Sequence, residues 1–209
     1  MDMWEWTLDA RRSLIATFDG IEGDQWEVES LCDGWRVRHV LAHLILAARP
    51  PARRYVPAVL KARGSFDKAN HRLAVDEGGR PTAELLSQYR KVADHRFALP
   101  GWPEAAPLSD VLLHSLDVRI PLDVKASVPP DRYEPVLRLL FRRVGRSFTS
   151  PSRPEIRWVA TDHSWSHGDE GPEVRGSMED LALTAAGRRA RIADLEGDGV
   201  VALEAWSHQ

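Results

Sequence analysis

The segment from Cys32 to Ile45, CDGWRVRHVLAHLI, limits the possible folds more than any other part of the chain. Val37, Val40, Leu41, Leu44 and Ile45 follow the i, i+3, i+4, i+7, i+8 spacing of one helical face, and Pro50-Pro51 stops the run. Such a face must be covered by other helices. Yet it carries His43, and a second apolar helix pattern, DVLLHSLDV from Asp110 to Val118, carries His114. Asp110, His114 and Asp117 are spaced i, i+4 and i+7, so they share one face.

Helical patterning continues through the first two thirds of the chain. Leu8, Leu14, Ile15 and Phe18 mark a first helix, and a third is expected from Val56 to about Ala74. Thr82 is the expected N-cap of AELLSQYRKVADHRF, and Asp131 with Glu134 has capping-box spacing ahead of PVLRLLFRRVGRSF. The character then changes. EIRWVAT and EVRG read as strands joined by a turn-rich stretch, Ser177 with Asp180 caps MEDLALTAAGRR, Gly187 ends it, and GVVALEAW reads as a last strand. This predicts an α+β chain: a helical bundle over residues 1–148, which the family resemblance below implies is an up-down four-helix bundle, and a small α+β domain over 152–209, joined by FTSPSRP.

Composition excludes several classes. The chain has 209 residues, 43% of them hydrophobic, and a formal net charge of -3, which gives no electrostatic footprint for nucleic acid. Arginine pairs such as Arg11-Arg12 and Arg53-Arg54 recur singly and read as solvated faces. No apolar run approaches the roughly 18 residues of a membrane helix, and no secretory leader is visible, so a cytoplasmic protein is expected. One cysteine excludes an internal disulfide; Cys32 is read as a small packed residue at a turn. Eight tryptophans point to deep aromatic packing or a ring-lined pocket.

A carboxylate and an imidazole one helical turn apart, with a further histidine on a facing helix, is a donor set that metal sites in helical bundles use. His43, Asp110 and His114 would leave positions open for water or substrate. The residues also allow plainer readings. His39 is four residues before His43, so HVLAH is a rival ligand pair; Asp110 can cap a helix, Asp117 can pair with Arg119 or Arg36, and a histidine on an apolar face is often only a hydrogen-bonded core residue. Imidazole and carboxylate ligands accept zinc, nickel, iron or manganese.

CDGWRVRHVLAHL resembles the opening signature of the mycothiol-dependent maleylpyruvate isomerase family, a branch of the DinB-like metal-binding four-helix bundles. DVLLHSLDVRIPL resembles its second signature, and the tail from Arg157 to Arg189 is similar to its small C-terminal domain. The resemblance implies a divalent metal, usually zinc, held by His43, Asp110 and His114, with mycothiol as co-substrate. Such a metal would lower the pKa of a bound water or thiol. In the isomerases the thiol adds to an activated double bond, allows rotation, and leaves. Those isomerases carry glutamate where this chain has the shorter Asp110, so reaching the same cation needs a closer helix or an intervening water.

The resemblance also implies that Arg188, after Gly187, holds a substrate carboxylate, although a charge at a helix C-terminus reads equally well. It puts Asn70 near the pocket. Trp35 packs the turn and walls the cleft, with Asp117 and His39 nearby. The expected function is a metal-dependent isomerase or transferase acting with a low-molecular-weight thiol on a small electrophile, in a monomer or homodimer. The alternatives are a metal- or apolar-ligand-binding protein on the same fold, and a protein whose histidines are merely packed.

Overall fold

The computed structural model describes residues 2–50, 52–98, 101–142 and 153–206. They form two compact units, 1–125 and 126–209.

The first unit is helical. It comprises α1 (Met3–Asp19), α2 (Val37–Ala48), α3 (Ala52–Lys61), α4 (Phe66–Gly78), α5 (Thr82–Val92) and α6 (Ala106–Arg119). α2 is the central helix: it packs on α4, α5 and α6, while α1 packs on α6 and α5 and α3 lies on α4. Thus α2 sits between α4, α5 and α6 at the centre of the bundle, with α3 attached through α4. Val37, Val40, Leu41 and Ala42 are wholly buried, as the spacing of the α2 run requires. On α1 the face is rotated from expectation. Thr7, Ala10, Arg11, Leu14 and Phe18 are buried, whereas Leu8 and Ile15 are half-buried.

Local chemistry sets the breaks. The single helix expected from Val56 to Ala74 is two helices, because Arg63 and Gly64 adopt positive φ of 56° and 85° and Ser65 Oγ then accepts from Lys68 N–H to start α4. The expected caps at Thr82 and at Asp131/Glu134 do not form. α5 begins at Thr82 itself behind Pro81, and a 3-10 turn over Pro130–Tyr133 leads into the next helix.

The second unit contains α7 (Glu134–Phe141), β1 (Arg157–Ala160), β2 (Ser166–His167), β3 (Glu173–Gly176), α8 (Met178–Ala185) and α9 (Val200–Trp206). The sheet order is β2-β1-β3. Trp158 of β1 stands opposite His167 in the antiparallel pairing and Val174 in the parallel one. EVRG is therefore a strand as expected, but a parallel neighbour of β1 rather than its hairpin partner. α8 covers the sheet and packs on α7. Ser177 Oγ accepts from Asp180 N–H at its start. At its end Gly187, at φ 88°, donates to Thr184 O and Arg188 N–H reaches Leu183 O, a Schellman closure.

Two expectations need correction. GVVALEAW is a helix, α9, not a strand. Gly199 N–H donates to Glu173 O, Gly199 O then accepts from Ala202 and Leu203, and Leu203 and Trp206, three apart, are the buried pair. The bridge-type pairing of this tail with β3 falls earlier, at Glu196 with Arg175. The second concerns the boundary. α7 belongs to the C-terminal unit, because its Val136, Leu137, Leu139 and Leu140 stripe is buried where α7 packs on α8, so the units divide earlier than residues 148–152. The FTSPSRP linker itself lies mostly outside the described residues. No helix among the described residues is long and apolar enough to cross a membrane.

Candidate metal centre

The helix packing of the first unit brings α2, α4 and α6 together around His43. The turn before α2 is built by Trp35 N–H donating to Cys32 O at 3.0 Å, with Gly34 at φ 72°. A Cβ at Gly34 would come within 3.1 Å of the His71 ring, so the position requires glycine on both counts. The turn delivers Trp35, 7% exposed, against the imidazoles. Its ring centroid lies 5.1 Å from that of His43, 5.8 Å from His114 and 6.0 Å from His71.

His43, Asp110 and His114 come together as the spacing implied. His43 Nε2 is 3.0 Å from Asp110 Oδ1, and His114 Nε2 is 3.6 Å from the same oxygen. The imidazole centroids are 4.6 Å apart, and one donor atom from each of the three residues lies within 4.8 Å of the others. Asp110 sits inside α6, four residues after its start, so it is not a cap. The shorter aspartate still reaches His43 Nε2 directly, at 3.0 Å.

The outer nitrogen of each ring is also held. His43 Nδ1 is 3.2 Å from Asn70 Oδ1 on α4, which also accepts from Tyr55 Oη at 3.0 Å. His114 Nδ1 is 2.8 Å from Oδ2 of Asp117, a fully buried carboxylate. With both Nδ1 atoms donating outward, both Nε2 atoms turn toward Asp110. Side-chain oxygens fixing the far nitrogens of paired imidazoles is the outer-shell arrangement that metal-binding histidines use. Zinc and its neighbours in the divalent series accept such a donor set.

Electrostatics agree with a shared charge. Burial pushes Asp110 up, but the charge and hydrogen bond of His43, the charge of His114 and that of Arg11 outweigh it and bring the carboxyl down to about 2. Burial pulls His43 down, and Asp110, together with the bond to Asn70, raises it above its ordinary value. Without a metal, a proton on Nε2 holds the pair together. Two polar atoms nearby are left over: Trp35 Nε1 and Tyr89 Oη are buried with no hydrogen-bond partner among the described residues. Burial, chiefly, and the charge of Asp110 raise the Tyr89 phenol.

The remaining residues fall elsewhere. His39 starts α2 and takes no part in the cluster: its Nδ1 accepts from Arg36 N–H at 3.1 Å, and its ring lies under Gly78, where a Cβ would stand 2.4 Å from it. Burial, with Arg38 and Arg36 nearby, lowers its pKa and so favours the neutral, accepting ring. Arg188 lies in the C-terminal unit just past α8, where its guanidinium donates to Ala186 O. Asp117 is fully buried and bonds to His114. Sequence reasoning missed Tyr55, and it missed Cys32, whose thiol donates to Asp117 Oδ2 at 3.0 Å. Cys32, Asp117 and His114 form a second group of closely spaced donors.

Comparisons with known proteins now have a geometry to meet. A family model described as the mycothiol maleylpyruvate isomerase N-terminal domain matches residues 7–107. That span includes Cys32, Trp35, His43 and Asn70 and ends before Asp110. Two crystal structures superpose on nearly the whole chain. One, of a histidine-to-alanine mutant of the mycothiol-dependent maleylpyruvate isomerase, has a TM-score of 0.60 and 12% identity over 93% of this chain and 92% of that one. The other, of the mycothiol-dependent maleylpyruvate isomerase, has a TM-score of 0.57 and 13% identity over 90% and 89%. A search of curated proteins finds no match. At these identities the structural likeness speaks for the fold.

Proposed function

We propose that this chain, whose residues 7–107 match the mycothiol maleylpyruvate isomerase N-terminal domain, is a metal-dependent enzyme of that family using a low-molecular-weight thiol, mycothiol by family analogy, on a small electrophile. One observation carries the reading: the two Nε2 atoms of His43 and His114 face the same oxygen of Asp110 while their Nδ1 atoms are bonded away from it. A histidine that only filled the core would have no need of that orientation twice.

In this reading His43, Asp110 and His114 hold the cation, and Asn70 and Asp117 fix the two rings. The metal, when bound, supplies Lewis acidity that brings a thiol to its thiolate form near neutral pH. Trp35, packed at a tilt against both imidazoles, closes one side of the site and keeps bulk water from it. The buried Trp35 N–H, which has no partner among the described residues, sits on a ring packed against both imidazoles and is available to an oxygen atom of a substrate. The thiolate adds to one carbon of an activated alkene, breaking the C=C π bond and moving its electron pair onto the activating carbonyl as an enolate. Rotation about the resulting single bond, then re-formation of C=C with expulsion of the same thiolate, completes an isomerisation; where the enolate takes up a proton instead, the S-conjugate is the product.

The test is turnover of maleylpyruvate, and of a generic electrophile, with mycothiol or another small thiol, before and after chelation. The expected result is thiol-dependent turnover that chelation abolishes and zinc restores. Turnover unaffected by chelation, or none with any thiol, contradicts the proposal.

A further inference from the structure

Cys32 stands behind His114, on the side away from Asp110. Its Sγ is 3.0 Å from Asp117 Oδ2 and 3.6 Å from His114 Nδ1, so that carboxylate oxygen accepts from the thiol and from the imidazole together. The sulfur's position is set by the backbone on either side of it. Cys32 N–H donates to Ser30 Oγ at 3.2 Å, Cys32 O accepts from Trp35 N–H, and Leu31 N–H donates to Asp117 O at 3.1 Å, tying the turn to α6 at the residue the thiol grips. An ionised carboxylate can rotate and offer its oxygens along several directions. Here a donor from a separate, pinned segment bonds the same oxygen that faces His114.

We propose that Cys32 is a positioning residue for His114: by bonding Asp117 Oδ2 its thiol holds the carboxylate that turns Nδ1 of the ring toward Asp117 and Nε2 toward Asp110. The consequence for metal affinity rests on the function proposed above; the effect on the ring does not. A link of this kind makes the geometry of α6 depend on a side chain 85 residues earlier.

The experiment uses the full chain with two substitutions. Cys32→Val fills similar space without a donor, and Cys32→Ser keeps a donor. Long-range 1H–15N correlation on metal-free protein at neutral pH reads the His114 tautomer, and competition with a chromophoric chelator reads zinc affinity. The expected result is one Nδ1–H tautomer in wild type and Cys32→Ser and a mixture in Cys32→Val, with zinc affinity about 10-fold weaker in the valine variant and restored to within about 3-fold by serine, at the lower end of what outer partners of metal ligands contribute. A valine variant with the wild-type tautomer means that Cys32 only packs, and overturns the proposal. So does a serine variant that behaves like valine, or a cobalt-loaded wild type showing a thiolate charge-transfer band, which would make Cys32 a ligand. If wild type binds no zinc while the tautomer still follows residue 32, the metal reading fails and the positioning role stands.

Discussion

Glu77 and Asp110 are both carboxylates drawn into the helical unit, and the chain compensates for them differently. Glu77, 5% exposed, is gripped by Arg80 at 2.6 Å and by Arg54, and Arg80 also meets Glu84. Guanidinium groups stay charged at any physiological pH, so that cluster is complete as it stands. Asp110 faces His43 and His114, which carry charge only with an added proton. One carboxylate is balanced permanently. The other is balanced by whatever occupies Nε2, a proton or a cation. That dependence separates a site from a structural ion cluster.

The contrast breaks first at the ligands. His43→Ala and His114→Ala each should weaken zinc binding by more than about 100-fold, beyond the 10–100-fold that outer partners cost, with helical content unchanged by circular dichroism. Full zinc binding in either variant would remove that residue from the ligand set. Next come the residues behind the rings: Asn70→Ala and Asp117→Asn should weaken zinc by about 10–100-fold, measured by chelator competition. An effect on thermal stability alone would make them packing residues.

The Glu77 cluster sharpens the comparison from the other side. Glu77→Gln should lower stability by about 1–3 kcal/mol, since its partners are part-exposed and can hydrate, and leave zinc affinity unchanged. Denaturant titration and chelator competition on one preparation decide both points. The smallest effect is on pH dependence. Burial raises the Glu77 pKa, but the bonds and charges of Arg54 and Arg80 hold it below its ordinary 4.5. Its contribution is therefore present above pH 4.5 and lost as pH falls through that value toward the folded pKa. Wild type should lose stability across that window more steeply than Glu77→Gln; parallel curves would assign the acid sensitivity elsewhere.

Legibility in the sequence followed the range of the interaction. His43, Asp110 and His114 could be read because each sits in a strong helical period, and a carboxylate four residues from a histidine is visible in the chain itself. Asn70 came only from family resemblance, since nothing at its own position points to His43 27 residues earlier. Cys32 was read as packing because its partner Asp117 is far along the chain. His39 looked like a rival ligand by the same i, i+4 rule, but capping α2 decided its orientation. In the C-terminal unit, β-branched Val200 and Val201 suggested a strand. The turn at Gly199 and the three-residue spacing of Leu203 and Trp206 made a helix instead. The α3–α4 break had a visible signal in Gly64-Ser65, outweighed by the longer periodic pattern.

The central claim is that two imidazoles and Asp110 share one cation. X-ray absorption at the zinc edge on protein loaded with one equivalent of zinc tests it most directly. The account predicts two imidazole scatterers and oxygen in a first shell at about 2.0–2.1 Å, with no sulfur. A sulfur shell at about 2.3 Å would move the ion to Cys32, and failure to retain any zinc would leave His43 and His114 as a hydrogen-bonded core pair.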